Sequence, residues 1–206
     1  MAMNGTPGTI NLRVRNAQGG YQEFDLADFG PYPLWSTARL AKTQATPLTF
    51  FNYAIGAAFT GGGGAVATKW ETNVLNGNGQ LGAAEEMLIY AVRVVLPSAI
   101  LLADAQALMA NVYLALYIAI QKPAAEGQVP FFPAGGGIYG VTQAQAAENW
   151  TNGVPASSAA RVFATPHYLN GLVNFWAQTE FRAALNLGAT QDVTIVMDGL
   201  RKRPVG

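Results

Sequence analysis

The chain has 206 residues, enough for one generous domain, and its 12 Lys plus Arg balance 12 Asp plus Glu, so no overall field draws it to nucleic acid or a charged membrane. Charged residues make up only 12% of the chain, about half the ~25% usual for soluble domains. A surface so short of charge points to coverage by copies of itself, the alternative being a neutral surface rich in Gly, Asn, Gln and Thr.

In chain order, residues 1–8 read as a loose arm, and MAMNGTPGT lacks the basic segment and apolar core of a secretion signal. Thr9 to Arg15 alternates, with Ile10, Leu12 and Val14 on one face, which predicts a half-buried strand. Gln18-Gly19-Gly20 turns it into a second strand over Tyr21 to Leu26, a hairpin. Phe29 to Trp35 carries Pro31 and Pro33 and predicts an irregular segment pinned by aromatic packing. Leu48 to Tyr53 is a further candidate strand, and Gly61 to Gly64 predicts a flexible surface loop. A phosphate-cradling loop would need Lys and Ser/Thr directly after the glycines, whereas Lys69 is distant and followed by Trp70.

The strongest strand signal is Met87 to Leu96, behind a turn-rich stretch from Thr72 to Gly82. Strict alternation places Met87, Ile89, Ala91, Arg93 and Val95 on one face and Leu88, Tyr90, Val92, Val94 and Leu96 on the other. Both faces are apolar apart from Arg93, as in a central strand covered on both sides. Ser98 to Met109 has helical spacing. Asn111 to Ile120 alternates again, with Val112, Leu114, Leu116, Ile118 and Ile120 on one face. Pro123 to Gly127 predicts a turn, Val129 to Phe132 a short strand, Phe132 to Gly140 an apolar Gly-rich loop and Gln143 to Asn149 a helical turn. Strands are expected at Arg161 to Ala164, Tyr168 to Trp176, Phe181 to Leu187 and Val193 to Met197, with a tight turn at Asp198-Gly199. The apolar runs 94–103 and 107–120 are too short for a membrane-spanning helix, which needs about 20 residues.

About nine or ten short strands and one or two inserted short helices predict an all-β sandwich or jelly roll. A double jelly roll needs about sixteen strands, too many for a chain of 206 residues with loops. The expected organisation is a single jelly-roll domain over 1–206, with an N-terminal arm (1–8) and a C-terminal tail (199–206).

The residues offer little chemistry. With no cysteine, disulfides and thiolate sites are excluded. The single histidine, His167, lies between Pro166 and Tyr168 with no motif supplying a nucleophile or an orienting carboxylate. Glu85 and Glu86 are neighbours that a strand would point to opposite faces. Asp25, Asp28, Glu71 and Asp198 lack calcium-loop spacing. Neither an enzyme nor a cofactor protein is expected. Arg201-Lys202-Arg203 is the one charge cluster, too small to argue for nucleic acid and equally suited to a solvated or interface-anchored tail.

Several stretches together resemble a known family: LTFFNYAIG (48–56), ETNVLNGNGQL (71–81) leading into EEMLIYAVRVVL, FFPAGGGIYG (131–140), HYLNGLVNFWAQTEF (167–181) and DGLRKRPVG (198–206). Their order is similar to that in major capsid proteins of tailless icosahedral, often membrane-containing, bacterial viruses of the upright jelly-roll lineage. The resemblance spans some two-thirds of the chain, which is shorter than the double jelly-roll members. It implies a non-enzymatic virion shell subunit whose partners are copies of itself, in trimers within a larger shell, other virion proteins and an internal lipid membrane. The arm and the tail, with Arg201, Lys202, Arg203 and Pro204, and the loops holding Gly61, Gly64, Pro133 and Gly135, are the expected assembly contacts. Scarce charge and the aromatics Trp35, Trp70 and Trp150 suit interfaces independently of the resemblance. The competing expectation is a jelly-roll carbohydrate-binding module in which Trp70, Tyr90, Tyr139 and Trp150 stack on sugar rings.

Overall fold

The computed structural model describes residues 11–15, 20–77, 79–97, 100–119, 122–134, 160–171 and 173–202. The strands are β1 (Asn11–Arg15), β2 (Tyr21–Asp25), β3 (Phe29–Pro31), β4 (Leu34–Leu40), β5 (Thr43–Gln44), β6 (Thr49–Phe50) and β7 (Glu86–Val95). After the helix α1 (Leu102–Asn111) come β8 (Val112–Ile118), β9 (Pro123–Gln128), β10 (Arg161–Asn170), β11 (Phe175–Phe181), β12 (Leu185–Asn186) and β13 (Gln191–Lys202).

Two antiparallel sheets face one another. One runs β10-β7-β13, with β3 and β4 both on the far side of β13; the other runs β6-β11-β8-β9. The ladders nest: β4 pairs with β13, β6 with β11, β7 with β10 and β8 with β9. The chain therefore pairs as one long hairpin folded over itself, and the ladders β7–β13 and β8–β11 stitch the folded hairpin into two sheets. Between them lies one continuous core. Leu34, Ala38, Ile89, Val92, Val94, Ile195 and Met197 come from the first sheet, and Phe50, Leu114, Leu116, Phe175 and Ala177 from the second. This is an all-β sandwich. A second, smaller core sits on the outer face of the five-stranded sheet, where the β1–β2 hairpin lays Val14 and Phe24 over Leu88 and Phe29.

β7 is the central strand that its sequence predicts, but its two faces are not those of strict alternation. Tyr90 has no partner on β13: Asp198 pairs with Ala91 and Gly199 with Ile89. This bulge reverses the phase of the strand. Met87 and Ile89 before it therefore join Val92, Val94 and Leu96 after it in the core. Arg93 is released to the outer face, where its guanidinium grips the Asp198 carboxylate through two hydrogen bonds of 2.7 and 2.9 Å. β10 bulges at the same level, since Val162 pairs with Ala91 and His167 with Ile89. Pro166 falls in that unpaired stretch of an edge strand, where its missing N–H costs no ladder bond.

Several local expectations change. The segment 29–35 is not irregular: β3 and β4 keep one register on β13 and break only at Tyr32-Pro33, because prolines cannot donate. Leu48 to Tyr53 yields only the two residues of β6, since Phe51 turns to φ 63°. Helical spacing over 98–109 corresponds to α1, displaced to 102–111. Pro123 to Gly127 is not a turn but the edge strand β9, with proline at its first position. Val129–Phe131 is a 3-10 helix. The strand expected over 168–176 is the end of β10 and the start of β11. Gly171 lies between them, where a Cβ would come within 2.7 Å of Ala83 Cα. The stretch 181–187 breaks after Phe181, and Leu185–Asn186 pairs with Thr43–Gln44. Asp198-Gly199 is no turn either. It lies inside β13, and Gly199 is there because a Cβ would come within 2.8 Å of the Leu88 carbonyl. Of the tail expected over 199–206, residues 199–202 are paired strand, and 203–206 lie outside the described residues.

Candidate functional site

The sequence-nominated contact residues are placed as follows. Arg201 pairs with Glu85 and Lys202 with Glu86, so these two carboxylates anchor the end of β13. Arg201 also lies over the Tyr32 ring, 4.8 Å from its centroid. Gly61 and Gly64 belong to a loop packed along β4, not a loose one. Arg39 N–H donates to the Thr60 carbonyl at 2.9 Å, and at Gly61 (φ 75°) a Cβ would overlap the Arg39 carbonyl oxygen. Pro133 follows the 3-10 helix and is half-buried. The arm 1–8, Gly135, the helical turn 143–149, Tyr139, Trp150, Arg203 and Pro204 lie outside the described residues.

His167 is half-buried with its ring edge-on to Phe163, centroids 4.6 Å apart, and burial pushes its pKa below the usual value. Asp25 caps the following 3-10 turn by accepting from Ala27 N–H at 3.0 Å. Asp198 serves Arg93 and Glu71 serves Thr68, so each carboxylate has a local task.

Two surface features remain once these groups are accounted for. The first is a turn in the long β6–β7 connection, which runs along the β4 edge away from β13 and bonds to it. Thr37 N–H donates to the Glu71 carbonyl at 2.7 Å, and Trp35 Nε1–H to the Lys69 carbonyl at 3.1 Å. Within the turn, Glu71 Oε2 accepts from both the amide and the hydroxyl of Thr68 at 2.7 Å. Burial pushes the Glu71 carboxyl up, but the Thr68 hydroxyl and amide outweigh it and hold it below the usual value. At the tip of this pinned turn Trp70 is 88% exposed, the most exposed of the large apolar side chains among the described residues. Lys69 beside it is exposed too.

The second feature is the outer face of the four-stranded sheet. β8 directs Tyr113, Ala115 and Tyr117 outward, and β11 sets Glu180, Gln178 and Trp176 directly opposite them. The Tyr117 and Trp176 rings stack with centroids 4.9 Å apart and planes 11° off parallel. On the other side β9 sets Gln128 against Tyr113 and Glu126 against Ala115. Small Ala115 between two tyrosines leaves a groove of about 510 Å³, lined by Tyr113, Ala115, Tyr117, Glu126, Glu180 and Arg182 among others. The Tyr113 phenol is raised above its usual value, first by lost hydration, then by its hydrogen bond to Glu126 and the charges of Glu126 and Glu180. Such a groove can take an apolar ring flanked by a positive charge. Among the described residues no three His, Cys, Asp or Glu side chains gather as a metal site, and no helix is long and apolar enough to cross a membrane.

Trp70 was visible in the sequence as an aromatic suited to an interface. The groove was not, because Glu126 sat in a stretch read as a turn and the start of β11 was merged with the end of β10. The one available signal was the outward set Tyr113, Ala115, Tyr117 in the alternation of β8. No protein-family model, curated protein or solved structure matches the chain.

Proposed function

We propose that the protein is a structural self-assembly subunit, a virion shell protein that builds capsomers from copies of itself and has no catalytic task. The observation that carries this reading is the nested order of the ladders, β4–β13, β6–β11, β7–β10 and β8–β9, in a single sandwich. We infer from it a single jelly roll, an architecture shared by viral capsid and lectin domains. Fold alone does not choose between those uses. The surface favours assembly. The chain is poor in charge, Trp70 stands out on a hydrogen-bonded turn, and Val66 and Leu75 of the same connection are more than half exposed. Interfaces are enriched in aromatics and depleted in charge in this way.

The carbohydrate-binding alternative draws on Trp70, Tyr90, Tyr139 and Trp150; of the two within the described residues, Trp70 lies beyond the β4 edge and Tyr90 at the bulge of β7, with β13 between those two strands. The test is the native mass of the purified protein across concentration and salt, with negative-stain images of the same sample. Trimers or large closed particles are the expected result. A strictly monomeric species that binds glycans would replace this reading with the alternative.

A further inference from the structure

Resting on the self-assembly reading, we propose that the Trp70 turn of one copy docks in the outer groove of the four-stranded sheet of a second copy. Trp70 is an anchor without a pocket: an indole offers some 150–250 Å² of contact surface, and here 88% of the residue's surface faces solvent. The groove is a pocket without an anchor. Its volume of about 510 Å³ lies within the range of roughly 300–1,000 Å³ in which proteins hold ring-sized groups. Its floor is Ala115 and its walls are Tyr113 and Tyr117, surfaces an indole packs against.

Charge pairs the two as well. Among the described residues the ion pairs are Arg39–Asp192, Arg93–Asp198, Arg201–Glu85 and Lys202–Glu86, and neither Lys69 nor Glu126 nor Glu180 belongs to any of them. Docking Trp70 brings the Lys69 ammonium toward the two carboxylates of the groove, and Arg182 at the groove leaves a net local charge of minus one.

The turn is also prepared for the task. Its hydrogen bonds within the loop and to Trp35 and Thr37 fix the backbone before binding, so little ordering remains to be done on contact. The anchor lies beside the edge of one sheet and the groove on the outer face of the other, so the docking joins two different patches of the surface. The contact is heterologous, of the kind that generates rings or open arrays. It would give each subunit one donor and one acceptor site for its neighbours.

The test replaces Trp70 with a benzophenone-bearing residue in the full chain, irradiates the assembled protein and maps the cross-linked peptides. Cross-links from position 70 to the segments holding Tyr113 and Glu180 of a second copy are expected. Trp70→Ala should weaken self-association at least about 30-fold, the effect of losing a hot-spot residue. The thermal melt of the dissociated subunit should stay unchanged, since the side chain is solvated there. Lys69→Glu should weaken association, and adding Glu180→Lys should restore it in part. Assemblies that form normally with Trp70→Ala, or that cross-link position 70 elsewhere, overturn the docking while leaving the self-assembly reading intact. A protein that is monomeric at every concentration overturns both. Glycan binding abolished by Tyr117→Ala but untouched by Trp70→Ala would make the groove a sugar site and overturn the docking.

Discussion

The two sheets of the sandwich obey different rules. In the four-stranded sheet, β8 and β11 pair without interruption from Phe175↔Ile118 to Phe181↔Val112, and every second residue points to the core. In the five-stranded sheet β7 and β10 bulge at one level around Tyr90. The outer face of the four-stranded sheet carries the Tyr117–Trp176 stack and the groove beside it. The bulged sheet has its outer face spanned by Arg39–Asp192 and Arg93–Asp198 and partly roofed by the β1–β2 hairpin. The unbroken β8–β11 ladder underlies the groove, and the four-stranded sheet slips only on its β9 side, where Leu116 pairs with Ala125 and Tyr117 with Pro123. The paired bulges of β7 and β10 lie instead in the sheet whose outer face is locally covered. The self-assembly reading gives that contrast a use: the face with the groove receives a neighbour.

The contrast can be broken from the inside first. Phe175 is fully buried in the shared core, packed edge-on to Phe51 with centroids 5.6 Å apart. Phe175→Ala removes an anchor of both sheets and should cost about 3–5 kcal/mol, read as a lowered midpoint in urea. If the two sheets unfolded separately, fluorescence and circular dichroism would give different midpoints. Coincident transitions are expected, because one apolar core joins the sheets.

The ion pair on the bulged sheet is the next target. Asp198→Ala leaves the half-buried Arg93 guanidinium without the carboxylate that holds it by two hydrogen bonds. Loss of a charge-assisted pair of this kind should cost about 1.5–3 kcal/mol. Asp192→Ala, whose partner Arg39 is more exposed, should cost less, within ~1 kcal/mol. Equal losses from the two variants would show that the bulge adds nothing to the Arg93 pair.

The same contrast explains what the sequence made legible. β8 was readable because period two holds through Val112, Leu114 and Leu116, all buried. β7 was readable as a strand but not in its faces, because no residue type announces that Tyr90 will stand outside the ladder and reverse the phase. Asp198-Gly199 carries the composition of a hairpin turn, and only the approach of the Leu88 backbone shows why glycine is needed within a strand. β4 escaped notice because Ser36 and Thr37 interrupt its apolar pattern. Both are buried and satisfied, Ser36 Oγ by Phe51 N–H at 2.8 Å and the Thr37 hydroxyl by Thr194 at 2.8 Å. Of the two surface features, the exposed indole could be nominated from its residue type. The groove depends on three strands coming together, and one of them, β9, looks like a turn until it is paired.

The smallest expected effect is also the one that separates the bulged edge from the rest of the molecule. His167 lies just past the unpaired stretch of β10, facing Phe163. Burial keeps its folded-state pKa below the ordinary 6.5 of the unfolded chain. Between those two values the unfolded chain binds more protons, so stability rises with pH through that window and falls as the pH drops below 6.5. The loss is complete once the pH is below the folded-state value, where both forms carry the proton. In urea melts, the wild-type midpoint should therefore decline just below pH 6.5, before the carboxylates begin to titrate. His167→Phe keeps an aromatic edge against Phe163 and removes the proton, so its midpoint should stay flat over the same interval. A decline that survives the substitution would place the titrating group elsewhere and clear the bulged edge of responsibility. A decline that vanishes, with hydrogen exchange quickening first along β10 of the wild type at the lower pH, would identify that edge as the first part of the sandwich to open.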